Sequence, residues 1–342
     1  MIYNFQSFPQ KRDIEKALII GSNSFAGAAT VDGCLHMGMK VWGVSRSREL
    51  QNVFNTYRKN KNVSSFTFTQ LNINKQHNQL LELIDVVRPD AIIDFAGQGM
   101  VAQSWENPEQ WYQTNILAKA KLHRFLIGKE YLKAYVRIST PEVYGSSEKL
   151  LTESSRYNPS TPYAVSHAAT DMSLNAFFKH YNFPIITARF ANFYGPGQQL
   201  YRIVPKTMLA ALGCGSLTLD GGGTSIRSFI YSSDIVSGVL AALFNGAPGE
   251  TYHFSNSEFV SISELVAIIC DLMDVQQDTF CKTGPERIGK DAAYLMSSDK
   301  AAANLGWSPQ TTLNKGLSET AEWIVSNFQK LKTLPLEYIH TT

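Results

Sequence analysis

The sequence predicts an α/β fold: a doubly wound parallel sheet buried on both faces, with a smaller, discontinuous C-terminal lobe. Three observations carry that prediction. Short apolar runs alternate with helical stretches from residue 17 onward, the pattern of a sheet layered with helices. The runs are largely continuous rather than alternating, as strands covered on both sides require. After residue 189 the alternation gives way to short elements and Gly/Pro-rich loops.

Each strand follows from its residues. ALII over 17–20, VWGV over 41–44, SFTFT over 65–69, AIIDF over 91–95, YVRIS over 135–139 and PIITAR over 184–189 read as six strands. Helical stretches lie between them, over 77–87 and 107–128, and helices over 261–273 and 314–329 close the chain. The expected division is a dinucleotide-binding domain over 13–190 and 227–256, with a substrate-binding lobe over 191–226 and 257–342. That lobe would cover the carboxyl ends of the strands, where open α/β sheets bind ligands.

Composition narrows the partners. The chain has 342 residues, 44% apolar and 18% charged, with net charge +2 and no basic run, so nothing calls for nucleic acid or a membrane surface. The start, MIYNFQSFPQKRD, lacks a signal-peptide core, and no apolar run reaches membrane-spanning length. The four cysteines have no metal-binding spacing. A cytoplasmic protein with reduced thiols and no metal is expected.

The loop after the first strand is GSNSFAG over 21–27. Gly21 allows a tight turn and Gly27 close helix–strand packing, so that a pyrophosphate meets backbone N–H groups at the helix start, near Ser24 and Phe25. Ser24 stands at the middle glycine position and can offer a hydroxyl. After the second strand comes Ser45-Arg46-Ser47-Arg48, with no carboxylate until Glu49. An acidic residue there accepts from the ribose of NAD, whereas Arg46 and Arg48 suit a 2′-phosphate. NADP is therefore the expected cofactor, with NAD possible; the bland alternative is two surface arginines on a solvated loop. The fifth strand runs into Ser139-Thr140-Pro141-Glu142, which places a hydroxyl and a carboxylate side by side. Tyr163 then opens a helix as a proton acceptor.

These residues, with Phe95-Ala-Gly-Gln98, Thr114-Asn115, Pro162-Tyr-Ala-Val-Ser166, Arg189-x-x-Asn-x-Tyr-Gly-Pro196, Arg227-x-Phe-Ile-Tyr-x-x-Asp234 and Leu305-Gly-Trp307, resemble the extended short-chain dehydrogenase/reductase family. Within it they look most like nucleotide-sugar 4,6-dehydratases acting on dTDP-glucose or GDP-mannose. The resemblance runs from residue 16 to about 325 and implies a Rossmann-type fold. It implies that Tyr163 deprotonates the sugar C4 hydroxyl with help from Thr140 while hydride passes to the cofactor. Glu142 then takes the C5 proton, water leaves from C6, and hydride returns there, giving a 4-keto-6-deoxy sugar. It puts Asn72, Ile73, Phe95 and Ala96 on the cofactor, and Gln98, Asn192, Arg202, Arg227, Arg287 and Tyr294 on a nucleoside-diphosphate sugar. It also implies a homodimer built on the helix over 107–128 and the one bearing Tyr163. Tyr157 and Trp307 read as packing.

Four positions depart from the family: Ser24, Met100 for a frequent histidine, Pro141 for a proton-donating aspartate, and His167 where the motif Tyr-x-x-x-Lys has lysine. The lysine bonds the nicotinamide ribose and lowers the tyrosine pKa by its charge. His167, one turn beyond Tyr163, can donate to a ribose but is mostly neutral at neutral pH. The expectation is slower or more pH-sensitive oxidation, against the alternative of His167 packing in a decayed site. Pro141 and His167 leave open a catalytically silent NADP or sugar-nucleotide binder. An epimerase or decarboxylase of the same fold is the other competing reading.

Overall fold

The computed structural model describes residues 10–286 and 291–341. Seven strands form one parallel sheet: β1 Lys16–Ile20, β2 Lys40–Ser45, β3 Phe66–Gln70, β4 Ala91–Asp94, β5 Ala134–Ser139, β6 Ile185–Phe190 and β7 Thr251–Phe254. They lie in the order β7-β6-β5-β4-β1-β2-β3, every pairing parallel. The order reverses direction between β1 and β4, the switch point at which such sheets open a ligand crevice.

Alternate residues of β1 enter different cores. Ala17 and Ile19 pack with helix α1, Phe25–His36, and with residues of the helix over 232–245. Leu18 and Ile20 pack on the opposite face with α2, His77–Val87, and with residues of the 118–126 and 162–181 helices. Side chains on a strand alternate sides, so a run apolar at every position is what two covered faces demand. The expected doubly wound sheet is present.

Helix α3 opens at Pro108–Trp111, passes through a π-helical turn at Tyr112–Leu117 and ends with Ala118–Leu126. Thr170 Oγ1 donates to the carbonyl of Asn115 at 2.5 Å, which gives that wide turn an outside partner. Helix α4, Pro162–Tyr181, is capped by Thr161, whose side chain accepts from Ala164 N–H, with Pro162 pre-set at the first helical position.

The seventh strand was not among the six expected. It is the short edge segment TYHF, which carries a polar histidine and follows a Gly-Ala-Pro-Gly loop, so its apolar signal is weak. Three small sheets also arise: 192–194 with 226–231 and 259–261, 217–220 with 281–284, and 147–151 with 294–296. A separate apolar core joins Tyr194, Val204, Phe229, Leu265 and Leu317. Among the described residues no helix is long and apolar enough to cross a membrane, and no group of three His, Cys, Asp or Glu could hold a metal.

Candidate active site

One cleft of about 1360 Å³ runs along the carboxyl ends of the strands. At the end beside β1, Gly21 has φ +88°, and a Cβ there would lie 2.8 Å from the Ala96 nitrogen. Gly27 does not line the cleft; its Cβ would meet the Gly21 carbonyl oxygen at 2.3 Å, so it serves close packing. Ser24 caps α1: its Oγ accepts from Gly27 N–H at 3.0 Å and donates to the Gly21 carbonyl at 2.8 Å. The hydroxyl expected to face a ligand is thus already used within the turn.

Gly21, Ser24, Phe25, Ser45, Arg46, Asn72, Ile73, Phe95 and Ala96 all line the cleft, whereas Arg48 does not. Between the two loops stands Asn23, which sequence reasoning missed. Its side-chain amide donates to the carbonyls of Ser47 at 3.0 Å and Arg48 at 2.8 Å, fixing the loop after β2. Glu49 accepts from the Tyr57 hydroxyl at 2.6 Å and from Arg58, so the first carboxylate after β2 is engaged elsewhere. The cradle fits a dinucleotide. It combines a turn with no room for a Cβ, the N-terminus of α1, and the buried Oδ1 of cleft-lining Asn23, which has no hydrogen-bond partner among the described residues.

Farther along, β5 ends at Ser139 and Thr140 caps a 3₁₀ turn over Pro141–Tyr144, accepting from Glu142 N–H at 3.3 Å. Pro141 suits the first position of that turn. Tyr163 and His167, one helical turn apart on α4, have ring centroids 4.6 Å apart. Thr140, Glu142, Tyr163 and His167 all line the cleft. Burial and the charge of Glu142 raise the Tyr163 pKa above its ordinary value, while Thr140, Arg202 and Arg137 pull against them. Asn115 fixes the facing wall: its Oδ1 accepts from Gln98 N–H at 2.8 Å and its amide donates to Ser166 Oγ at 2.8 Å.

A permanent cation lies directly beside His167. Arg137, buried in the middle of β5, donates from Nη2 to Nδ1 of His167 at 3.0 Å. Arginine has only donors, so Nδ1 accepts and the proton of the neutral ring sits on Nε2. Burial, then Arg137, Lys119 and Arg189, hold the His167 pKa well below its usual value. Beneath this pair lies a buried charge layer. Lys119 pairs with Asp94, and Asp171 accepts from Arg189 at 2.8 Å and Ser139 at 2.5 Å, with Arg137 at 3.8 Å. Burial pushes the Asp94 carboxyl up, but Lys119 and Arg137 outweigh it and keep the pKa below the ordinary value.

At the other end Gln98, Asn192, Arg202, Arg227 and Tyr294 line the same cleft. Arg227 is less available than expected: it donates to the carbonyls of Ile226, Asp291 and Ala292 and stacks 4.1 Å from the Tyr294 ring centre. Its charge faces the cleft while much of its fork is committed. Arg202 is exposed beside Tyr201. Arg287 lies outside the described residues. An unexpected neighbour is the C-terminal tail. Tyr338 and Ile339 line the cleft, the Thr341 carbonyl accepts from Arg46 at 2.7 Å and from Gln98 at 2.9 Å, and His340 stacks on Trp111.

Fold and cleft together define an extended short-chain dehydrogenase/reductase. More narrowly, the chain belongs to the GDP-mannose 4,6 dehydratase family, whose model matches residues 18–320. The dTDP-glucose 4,6-dehydratase of Xanthomonas campestris is 30% identical over 266 residues, 72% of this chain and 75% of the relative. The human dTDP-D-glucose 4,6-dehydratase is 29% identical, covering 80% and 79%. Among solved structures, the dTDP-glucose 4,6-dehydratase DesIV of Streptomyces venezuelae, with NAD and TYD bound, superposes with a TM-score of 0.84 at 26% identity, covering 92% of this chain and 98% of that one.

Proposed function

We propose that the protein is a nicotinamide-dependent hydro-lyase, a nucleoside-diphosphate-sugar 4,6-dehydratase that forms a 4-keto-6-deoxy sugar. The observation that carries this reading is the meeting of Thr140, Glu142 and Tyr163 in one cleft of a chain from this family. Similar proteins are named dTDP-glucose 4,6-dehydratases.

Each residue has a task its surroundings allow. The Tyr163 phenolate accepts the C4 hydroxyl proton, with the Thr140 hydroxyl beside it to share the hydrogen bond. A nicotinamide dinucleotide bound along Gly21–Phe25 supplies the reversible two-electron chemistry between C4 and C6. With C4 oxidised to a ketone, the C5 proton becomes acidic and Glu142 removes it. Pro141 has no proton to give, so the proton taken by Glu142 passes to the departing C6 hydroxyl, which leaves as water. Tyr163 releases the C4 hydroxyl proton to solvent, and C5 takes one back as hydride returns to C6. Asn192, Arg202 and Arg227, which line the cleft, would hold the diphosphate.

Arg46 in the cleft and the diversion of Glu49 to Tyr57 favour NADP over NAD. Val165 and Met172 are exposed seven residues apart on α4, and Leu117 is exposed on α3, an apolar stripe suited to pairing with a second copy. Mass spectrometry of the purified protein's bound cofactor, followed by a nucleotide-sugar panel, tests the reading. The expected product is lighter by one water. Loss of carbon dioxide, or a product of unchanged mass, would replace the dehydratase by a decarboxylase or an epimerase.

A further inference from the structure

A phenol raised by burial and by a carboxylate needs a nearby cation to accept a proton at neutral pH. His167 does not supply that charge: its Nδ1 accepts from Arg137, and burial with Arg137, Lys119 and Arg189 holds its pKa well below the ordinary value. The next layer down holds three cations, Lys119, Arg137 and Arg189, against two carboxylates, Asp94 and Asp171. One positive charge is left over inside a region from which water is excluded, where charge acts strongly. Of these groups Arg137 alone among the described residues hydrogen-bonds His167, and it lines the cleft itself.

We propose that Arg137 is the positioning residue that, with His167, performs the work of a single lysine. His167 presents its Nε2–H to the ligand as a neutral donor, and Arg137 fixes that tautomer while supplying the permanent charge that favours the Tyr163 phenolate. The inference rests on the dehydratase reading for its kinetic consequences and on the geometry alone for the tautomer. A guanidinium suits the role because it stays charged when buried and can only donate. His167→Lys would instead bring a second cation beside Arg137, and nearby like charges disfavour each other.

The charged and titratable groups facing this pair are known from each element around it. They are Asp94 on β4, Lys119 and His123 on α3, Tyr135 on β5, Asp171 on α4 and Arg189 on β6, with Glu142, Tyr163 and Arg202 on the cleft side. Burial pushes Lys119 down to about 8, so the rate profile is compared between variants rather than read from one limb.

The experiment is a charge-exchange cycle: Arg137→Met, His167→Lys and the double variant, each measured for kcat and KM across pH. Arg137→Met is expected to move the limb in which kcat rises with pH upward by about one unit, roughly a tenfold loss at fixed pH on that limb, with KM changed much less. His167→Lys alone is expected to lose activity, and the double variant to regain most of it. An unmoved limb in Arg137→Met, or a double variant no better than both singles, overturns the proposal. Nitrogen NMR of the wild-type His167 ring, assigned with His167→Phe, needs neither folding of the Arg137 variants nor turnover: a protonated Nε2 is expected, and a protonated Nδ1 refutes the tautomer. If the wild type dehydrates no sugar nucleotide, the dehydratase reading fails by itself. The charge effect is then decided by ultraviolet titration of Tyr163, with Tyr163→Phe as reference: a phenol pKa higher in Arg137→Met supports it, and an unchanged one refutes it.

Discussion

Arg137 and Arg46 line the same cleft at opposite depths, and their settings differ. Arg137 is 2% exposed in a central strand, 3.0 Å from His167 and 3.8 Å from Asp171. Arg46 is exposed on the loop after β2, and among the described residues its guanidinium hydrogen-bonds the Thr341 carbonyl. In the buried layer each charge depends on its neighbours, because an uncompensated ion there costs several kcal/mol. At the rim water screens what the protein does not pair. The deep end therefore sets protonation and stability together, whereas the rim can tune ligand preference with little effect on folding.

The largest effect is expected from Tyr163→Phe, which keeps the ring and removes the proton acceptor. General-base contributions run to about 10²–10⁴ in rate, so turnover should fall about a thousandfold while dinucleotide affinity, read by fluorescence titration, stays within a few-fold. A variant retaining a tenth of the activity would show that the deep end does not act through this phenol.

Next comes Asp171→Asn. Asp171 is the carboxylate shared by Arg189, Arg137 and Ser139. Its neutralisation leaves buried cations without their counter-ion, a change that costs about 3–5 kcal/mol when one partner of a buried pair is removed. The matched rim variant is Glu49→Gln, beside a partly exposed Arg58, for which exposed pairs give about 0–1 kcal/mol. Denaturant unfolding of both variants tests the contrast, and equal losses would erase it.

Acid should expose the same asymmetry. His123, His167 and His253 are buried, and burial leads the causes that hold each below the ordinary histidine value, His123 at about 3. The folded state keeps them neutral while the unfolded chain protonates them below pH 6.5, so the unfolded state binds more protons and stability falls as pH falls. The loss begins near 6.5 and continues down toward the folded-state values, approaching about 1.4 kcal/mol per pH unit for each histidine. Melting temperature followed from pH 7.5 to 5 should drop steadily below about 6.5, and less steeply in His253→Gln. A flat profile would mean the three rings accept protons without opening the core.

Much of this was readable before any coordinates. Strands buried on both faces leave continuous apolar runs, so the sheet was legible from ALII through PIITAR, and a Ser-Thr-x-Glu strand end followed by a helical tyrosine marked the deep end of the cleft. The role of Arg137 was not legible, although its signal was present: a charged residue in the run YVRIS must have buried partners. Which partners it has depends on α4 and β6, distant in sequence. Asn23 was overlooked because a side-chain amide bracing a neighbouring loop leaves no periodicity. The tail was invisible for the same reason, as Arg46 and Thr341 meet across almost the whole chain.

The smallest effect belongs to Arg46. A charged hydrogen bond contributes about 1.5–3 kcal/mol when well placed, but Arg46 is exposed and shares its donors with the Thr341 carbonyl, so the lower end applies. Arg46→Ala should weaken NADP binding by about tenfold and leave NAD binding and melting temperature nearly unchanged. Removing residues 335–342 should act in the opposite direction, because it frees the guanidinium of Arg46 and the amide of Gln98 from the same carbonyl. If the truncation weakens NADP as much as the alanine does, the tail completes the nucleotide site instead of competing for it, and the rim would then resemble the deep end, with each group held in place by its neighbours.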